Sequence, residues 1–162
     1  MSTVYLGLGS NVAPESNLLL AARELRRRFT LRKISSVYRN KSLEFDGDDF
    51  FNAVACIETD KTPQALCAEL EEIHELASRE RNSDRFSSRT LDIDLLLFGQ
   101  QVITGPPVRV PRSDVLEYSF VLRPLAEIAP DLVHPVTGRK MSQHWHEFDV
   151  TTHPLTKEAI IL

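Results

Sequence analysis

The run Leu91-Asp92-Ile93-Asp94-Leu95-Leu96-Leu97-Phe98 constrains this chain more than any other stretch. Its length and apolar content read as a β-strand. The period of two along a strand sends Asp92 and Asp94 to one sheet face, with Leu91, Ile93, Leu95 and Leu97 on the other. A sheet with one solvated face is one way to accommodate both carboxylates. Asp is nevertheless disfavoured in strands, and two like charges side by side repel unless a cation stands between them. Mg2+ meets that need, because it takes oxygen ligands and is commonly held by one or two carboxylates together with substrate phosphates. Arg79, Arg81, Arg85 and Arg89 lie just before the strand. Guanidinium groups are permanently charged forks suited to phosphate oxygens. A solvated basic loop is the bland reading of those arginines. Metal carboxylates beside a phosphate-binding segment point instead to phosphoryl transfer.

The rest of the chain narrows the setting. Its 162 residues suit one domain, spanning 1–162, with a core of useful size. A formal net charge of -4 gives no global attraction to nucleic acid or to an anionic membrane. Basicity is local, in Arg23-Glu24-Leu25-Arg26-Arg27-Arg28 and in 79–89, and the first cluster reads as the solvated face of a helix. Neither a signal peptide nor an apolar run of membrane-spanning length is evident. Cys56 and Cys67 stand in apolar surroundings without metal or redox spacing, and read as buried, reduced thiols of a cytoplasmic protein. His-x-His at His144 and His146 would diverge around a helix axis, so it reads as surface or packing rather than a metal site.

Periodicity predicts a strand over 3–9, a turn at Gly9-Ser10-Asn11 and a helix over 15–29 carrying Leu18, Ala21, Ala22, Leu25 and Phe29. Strands are expected at 32–39 and 51–59, separated by a polar loop. Thr62-Pro63 opens a second helix to about 77, with Thr62 as N-cap and Pro63 at the first helical position. A basic, mobile lid is expected over 78–89, then the Asp-bearing strand at 91–98. A short hairpin around 102–110, a helical turn at 113–117 and helices at 120–128 and 141–147 follow. The order strand-helix-strand, strand-helix-strand implies an α+β, ferredoxin-like layered fold: a mostly antiparallel four-stranded sheet, both helices on one face, and a C-terminal extension.

Taken together, these segments resemble the 6-hydroxymethyl-7,8-dihydropterin pyrophosphokinase family. The resemblance begins at Tyr5-Leu6-Gly7-Leu8-Gly9-Ser10-Asn11, continues through Ser36-Val37-Tyr38-Arg39 and Phe51-Asn52-Ala53-Val54-Ala55, and is strongest at Arg89-Thr90-Leu91-Asp92-Ile93-Asp94-Leu95-Leu96-Leu97-Phe98-Gly99. Val110-Pro111, Phe120-Val121-Leu122-Arg123-Pro124-Leu125 and Glu127-Ile128-Ala129-Pro130 follow in the right order. The resemblance implies transfer of the β,γ-diphosphate of ATP to the hydroxymethyl oxygen of a reduced pterin, with release of AMP. It implies two Mg2+ ions on Asp92 and Asp94, and catalytic roles for Arg79 and Arg89 beside those aspartates. It places ATP near Arg79, Arg81, Arg85 and Arg89, and Arg109 and Arg112 are expected to join them on the nucleotide side, compensating in charge for features the family has there. It puts Phe50 and Phe120 at stacking positions around the pterin, Asn52 at its edge and Leu43 in the adjoining wall. The phenylalanines read from sequence alone as ordinary core. A monomer without nucleic-acid or membrane partners is expected.

The chain departs from the family pattern mainly on the nucleotide side. Ser87-Ser88 stands where Gly-Pro is usual, Phe86 where Trp is common, and Ser78 where Gly precedes the first arginine. His74 replaces an acidic residue, Arg112 a His, and Tyr118 an Arg. A diverged homologue that binds a pterin without efficient transfer is therefore the alternative. A nucleic-acid-binding ferredoxin-like module ranks far behind, because it would want a basic, aromatic sheet face where this strand carries aspartates.

Overall fold

The structure, a computed structural model, describes residues 1–42, 47–80 and 91–162, with Glu80 described in its backbone only. Leu43, Arg81, Arg85 and Arg89, and the expected lid from residue 81 onward, lie outside the described residues.

Strand β1 (Ser2–Ser10) and strand β4 (Phe50–Thr59) form the centre of the sheet, antiparallel from Ser2↔Thr59 to Ser10↔Phe51. Their alternation sorts side chains to two faces. Val4, Leu6 and Leu8 meet Ala53, Ala55 and Ile57 on one face, which is packed by Leu18 and Leu25 of helix α1 (Pro14–Arg28) and by Leu66, Leu70 and Ile73 of helix α2 (Pro63–Glu80). Both helices therefore lie on one face, as the ferredoxin-like reading requires. Strand β5 (Asp92–Phe98) pairs antiparallel with β1 on the outer side. The strand expected over 32–39 is broken into β2 (Thr30–Ile34) and β3 (Val37–Asn40), both antiparallel to β4. Ser35 causes the break and repairs it. Its backbone N–H donates to Val54 O (2.9 Å), and its hydroxyl accepts the Val54 N–H (2.8 Å) that an unbroken ladder would have used.

Counting β2 and β3 as one bent strand, the order β5-β1-β4-β3 is the ferredoxin-like arrangement of fourth, first, third and second strands. The described sheet has six strand segments rather than the four expected. The split accounts for one and β6 (Thr156–Glu158) for the other, as β6 adds to the free edge of β3. A strand of three residues reading Thr-Lys-Glu carries no apolar period by which a sequence could reveal it. Beyond it, Ile160 and Leu162 pack on the first core, and Arg26 donates to Leu162 O (2.8 Å).

The second sheet face is covered as well. Val54, Cys56, Leu96 and Leu97 pack against α3 (Asp114–Glu117), α4 (Ser119–Ile128) and α5 (Met141–Glu147) through Val115, Val121, Leu122, Leu125 and Met141. Leu97 is thus on the face opposite to that expected. Tyr5 pairs with Leu97 but Leu6 with Leu95, so Leu96 is an extra residue, a bulge that reverses the alternation after it.

The arginine run of α1 is also more than a solvated face. Glu24 is buried and accepts from Arg27 (2.8 Å) and Arg28 (3.1 Å), and Arg28 crosses to Glu72 of α2 (2.6 Å), tying the two helices together. Thr62 caps α2 as expected, accepting from the Ala65 N–H (3.2 Å). The helix outruns its expected end at about 77, and Arg79 lies within its last turn, four residues from its partner Glu75. Among the described residues no helix is long and apolar enough to cross a membrane.

Candidate active site

Two glycines prepare the site. Gly9 lies between Asn52 and Asp92 in the ladder, and Gly7 between Val54 and Asp94. A Cβ on Gly9 would come within 3.0 Å of Asn52 Oδ1, and one on Gly7 within 3.4 Å of Leu96. Bare backbone at these points leaves a depression in the second sheet face, a cavity of about 510 Å3. Asp92 and Asp94 line one side of it, Asn52 and Asn40 lie deeper, and Phe50, Tyr118 and Phe120 form the aromatic side. The β1–α1 turn that carries Asn11 into the cavity is fastened by buried Asn17, which donates to Val12 O (2.6 Å).

Asn52 is buried and its amide is oriented. Nδ2 donates to Asn40 Oδ1 in a short hydrogen bond, while Asn40 donates to Lys41 O (2.9 Å). The Asn52 oxygen is thereby left on the Gly9 side. Asn40 was not legible as a site residue, since a polar residue closing a strand beside a loop carries no distinctive pattern. Tyr118 and Phe120 stack with centroids 4.9 Å apart and an interplanar angle of 17°. A flat cavity with aromatic walls and an amide at its base suits a planar heteroaromatic ligand.

The aspartates emerge on one face, as their spacing requires. Asp94 keeps 43% of its side chain accessible, and among the described residues Arg112 Nη1 lies 4.0 Å from it. Arg112 also directs Nε toward Asp114 at 3.2 Å. Burial pushes the Asp94 carboxyl above its usual range, and Asp92 and Asp114 push the same way against the pull of Arg112. This concentration of negative charge at the mouth of a cleft favours an added cation. Among the described residues no three His, Cys, Asp or Glu side chains converge as a self-sufficient metal cage. Two hard carboxylates fit Mg2+, which ordinarily completes its shell with water and substrate oxygens.

A second cleft of about 180 Å3 runs along the outer edge of β5, lined by Cys67, Glu71 and His74 of α2, by Leu95, and by Arg109 and Arg112. It shares Asp94 with the first cavity. Arg109 and Arg112 are thus brought together, but on the opposite side of the aspartates from the aromatic slot. Arg79 lines neither cavity; it is exposed and lies 3.5 Å from Glu75.

His74 is a second residue whose role the sequence did not show. Buried, it accepts the Ile93 N–H at Nε2 (2.8 Å), and Nδ1 lies 3.1 Å from Glu71 Oε1. An accepting Nε2 requires the proton on Nδ1, which then donates to Glu71. The imidazole therefore grips the edge of β5 between Asp92 and Asp94, where the family pattern led us to expect an acid.

Comparison with known proteins agrees with this geometry. The family model for 7,8-dihydro-6-hydroxymethylpterin-pyrophosphokinase matches residues 5–130. The chain is 39% identical to the 2-amino-4-hydroxy-6-hydroxymethyldihydropteridine pyrophosphokinase of Haemophilus influenzae, covering 83% of this chain and 86% of that protein. It is 33% identical to the protein of the same name from Aquifex aeolicus, covering 88% and 90% respectively. It is 35% identical to the folic acid synthesis protein fol1 of Pneumocystis carinii, covering 89% of this chain but only 20% of that longer protein. In fold it is similar to wild-type Plasmodium falciparum HPPK-DHPS, with a TM-score of 0.69 at 14% identity over 91% of this chain and 43% of that one. The expectation from the sequence holds: the chain belongs to the 7,8-dihydro-6-hydroxymethylpterin-pyrophosphokinase family.

Proposed function

We propose that this protein transfers diphosphate from ATP to the hydroxymethyl oxygen of 6-hydroxymethyl-7,8-dihydropterin, releasing AMP, in a Mg2+-dependent reaction of folate synthesis. The observation that carries this reading is the position of Asp94, on the boundary between an aromatic slot and a cleft that carries Arg109 and Arg112. Two substrates that meet at a metal need such a boundary.

The pterin enters the slot between Phe50 and Phe120, with its edge toward the Asn52 amide and its hydroxymethyl arm toward Asp92 and Asp94. The triphosphate enters from the cleft, where Arg109 and Arg112 offset its charge. The resemblance adds Arg79, Arg81, Arg85 and Arg89 as further phosphate partners and Leu43 as part of the pterin wall. Two bound Mg2+ ions would neutralise phosphate oxygens and align the attacking and leaving oxygens. The hydroxymethyl oxygen forms a bond to the β-phosphorus as the bond from that phosphorus to the α-β bridging oxygen breaks. The hydroxyl proton departs to solvent and AMP leaves. Positioning and charge neutralisation carry most of such a reaction, so no protein base is required.

The test is AMP release from ATP and 6-hydroxymethyl-7,8-dihydropterin, with and without Mg2+. Stoichiometric AMP and pterin diphosphate, abolished by chelation, is the expected result. Tight pterin binding with no AMP at any Mg2+ concentration would overturn the assignment of transfer and leave a pterin-binding homologue.

A further inference from the structure

The segment after residue 148 lies beyond the family match, yet it reaches the aromatic wall of the site. It leaves α5, meets the first residue of α4 at Ser119, adds β6 to the edge of β3 and reaches Arg26 of α1 through Leu162. His153 is its point of contact with the site. Its ring stands edge-on to Tyr118 (centroids 5.4 Å, 68°) and to Phe120 (6.0 Å, 83°). Tyr118 and Phe120 line the cavity, whereas His153 does not. The fully buried Ser119 fixes the segment between them, donating its hydroxyl to the His153 carbonyl in a short hydrogen bond.

Three rings therefore form one unit, with the ligand-facing members backed by a residue far along the chain. Phe120 has freedom about two torsions, and an unsupported ring beside an open cavity would sample several orientations. Perpendicular packing of a third ring restricts that freedom without entering the cavity. Pro154 holds the backbone just after the contact, and β6 anchors the segment beyond it.

We propose that His153 is a positioning residue for the pterin slot: through its edge-on contacts the C-terminal segment holds Tyr118 and Phe120 in the orientation that accepts the planar substrate. This rests on the proposed pterin site and deepens it. The effect is selective, because among the described residues His153 does not line the nucleotide cleft. A ring of similar shape in its place serves the same purpose, since packing rather than a proton is the requirement.

The experiment compares wild type, His153→Ala, His153→Phe and Ser119→Ala. Pterin affinity is measured by calorimetric titration, and KM for each substrate and kcat by AMP release. A thermal midpoint is taken for each variant. In His153→Ala, pterin Kd and KM should rise about threefold to tenfold, the range expected for losing one or two edge-on ring contacts. The ATP KM should stay within about twofold, and His153→Phe should return pterin binding to within about twofold of wild type. Ser119→Ala, which frees the segment but keeps the ring, should shift pterin affinity in the same direction by less. Unchanged pterin affinity in His153→Ala would overturn the inference. Equal loss of pterin and ATP affinity with no rescue by Phe would do the same, since it would mark a purely structural clip. Wild type that binds no 6-hydroxymethyl-7,8-dihydropterin would instead refute the proposed pterin site itself.

Discussion

Two carboxylates, Glu127 and Asp94, show how differently one chain treats the same functional group. Glu127, near the end of α4, accepts from Ser36 N (2.9 Å), Ser36 Oγ (3.0 Å) and Tyr38 Oη (2.5 Å). Burial alone would raise its pKa, but these hydrogen bonds outweigh burial and leave it below the usual range. Among the described residues Asp94 has no comparable set of donors. Burial raises its pKa, Asp92 and Asp114 add to the rise, and Arg112 at 4.0 Å only partly offsets it. A satisfied carboxylate is a joint in the fold: Glu127 locks α4 to the break between β2 and β3. A crowded, half-open one is a reservoir of unfavourable electrostatics that a cation or substrate can relieve. Function and stability are therefore expected to separate between these two places.

The largest effect should come from breaking the crowded pair. Asp94→Ala is expected to lower turnover by about a thousandfold or more, equivalent to the several kcal/mol that metal-assisted charge neutralisation supplies. The free protein should unfold at the same temperature as wild type or slightly higher, because a like-charge contact is relieved. AMP release and a thermal scan on the same preparation check both halves. A variant with full activity would remove Asp94 from the mechanism, and a sharp fall in thermal midpoint would place it with Glu127 as a structural group.

Arg112 sharpens the comparison from the cationic side. It stands between Asp94 and Asp114 and lines the outer cleft. Arg112→Ala should weaken binding of a non-hydrolysable ATP analogue about fivefold to a hundredfold, corresponding to roughly 1–3 kcal/mol for a lost charged partner. Arg112→His, the family's usual residue here, should preserve or improve that affinity. Calorimetric titration of both variants is the check, and unchanged affinity in Arg112→Ala would show that the nucleotide bypasses this residue.

How far the sequence could be read follows the same physics. The strands, α1, α2 and the central helices were legible because burial on one side imposes a period. Met141–Glu147 matched its expected span, and α2 is helical through Glu80 where an end at about 77 was expected. Asp92 and Asp94 were legible because a strand has only two faces. Three features were not. The reversal at Leu97 depends on a bulge opposite Tyr5 and Leu6, which local pattern does not encode. The grip of His74 on Ile93 N–H is a contact between a helix and a strand edge, and nothing in a lone histidine announces it. Strand β6 and His153 owe their places to where the chain returns after α5, so their roles follow from tertiary packing alone. Arg109 and Arg112 were expected near a nucleotide; the fold sets them on one cleft, and only the fold could show that this cleft and the aromatic slot share Asp94.

The smallest effect, and the most discriminating in its pH dependence, concerns Glu127. Its folded-state pKa is depressed, so the stability it contributes is present above the unfolded-state carboxylate pKa and is lost as pH falls through the folded-state value. Glu127→Gln keeps the shape but turns one acceptor into a donor facing donors. At neutral pH the variant should be less stable by about 1–2 kcal/mol, the scale of a part-buried hydrogen bond to a charged group replaced by a mismatched one. As pH is lowered through the acidic carboxylate range, wild-type Glu127 takes up its own proton and the gap should close. Urea unfolding of both proteins at a series of pH values measures that gap directly. Pterin and nucleotide affinities should remain near wild type, because Glu127 lines neither the slot nor the outer cleft. A gap that stays constant with pH would mean that the Glu127 contacts act through shape rather than charge. The contrast with Asp94 would then lie in packing, not in ionisation.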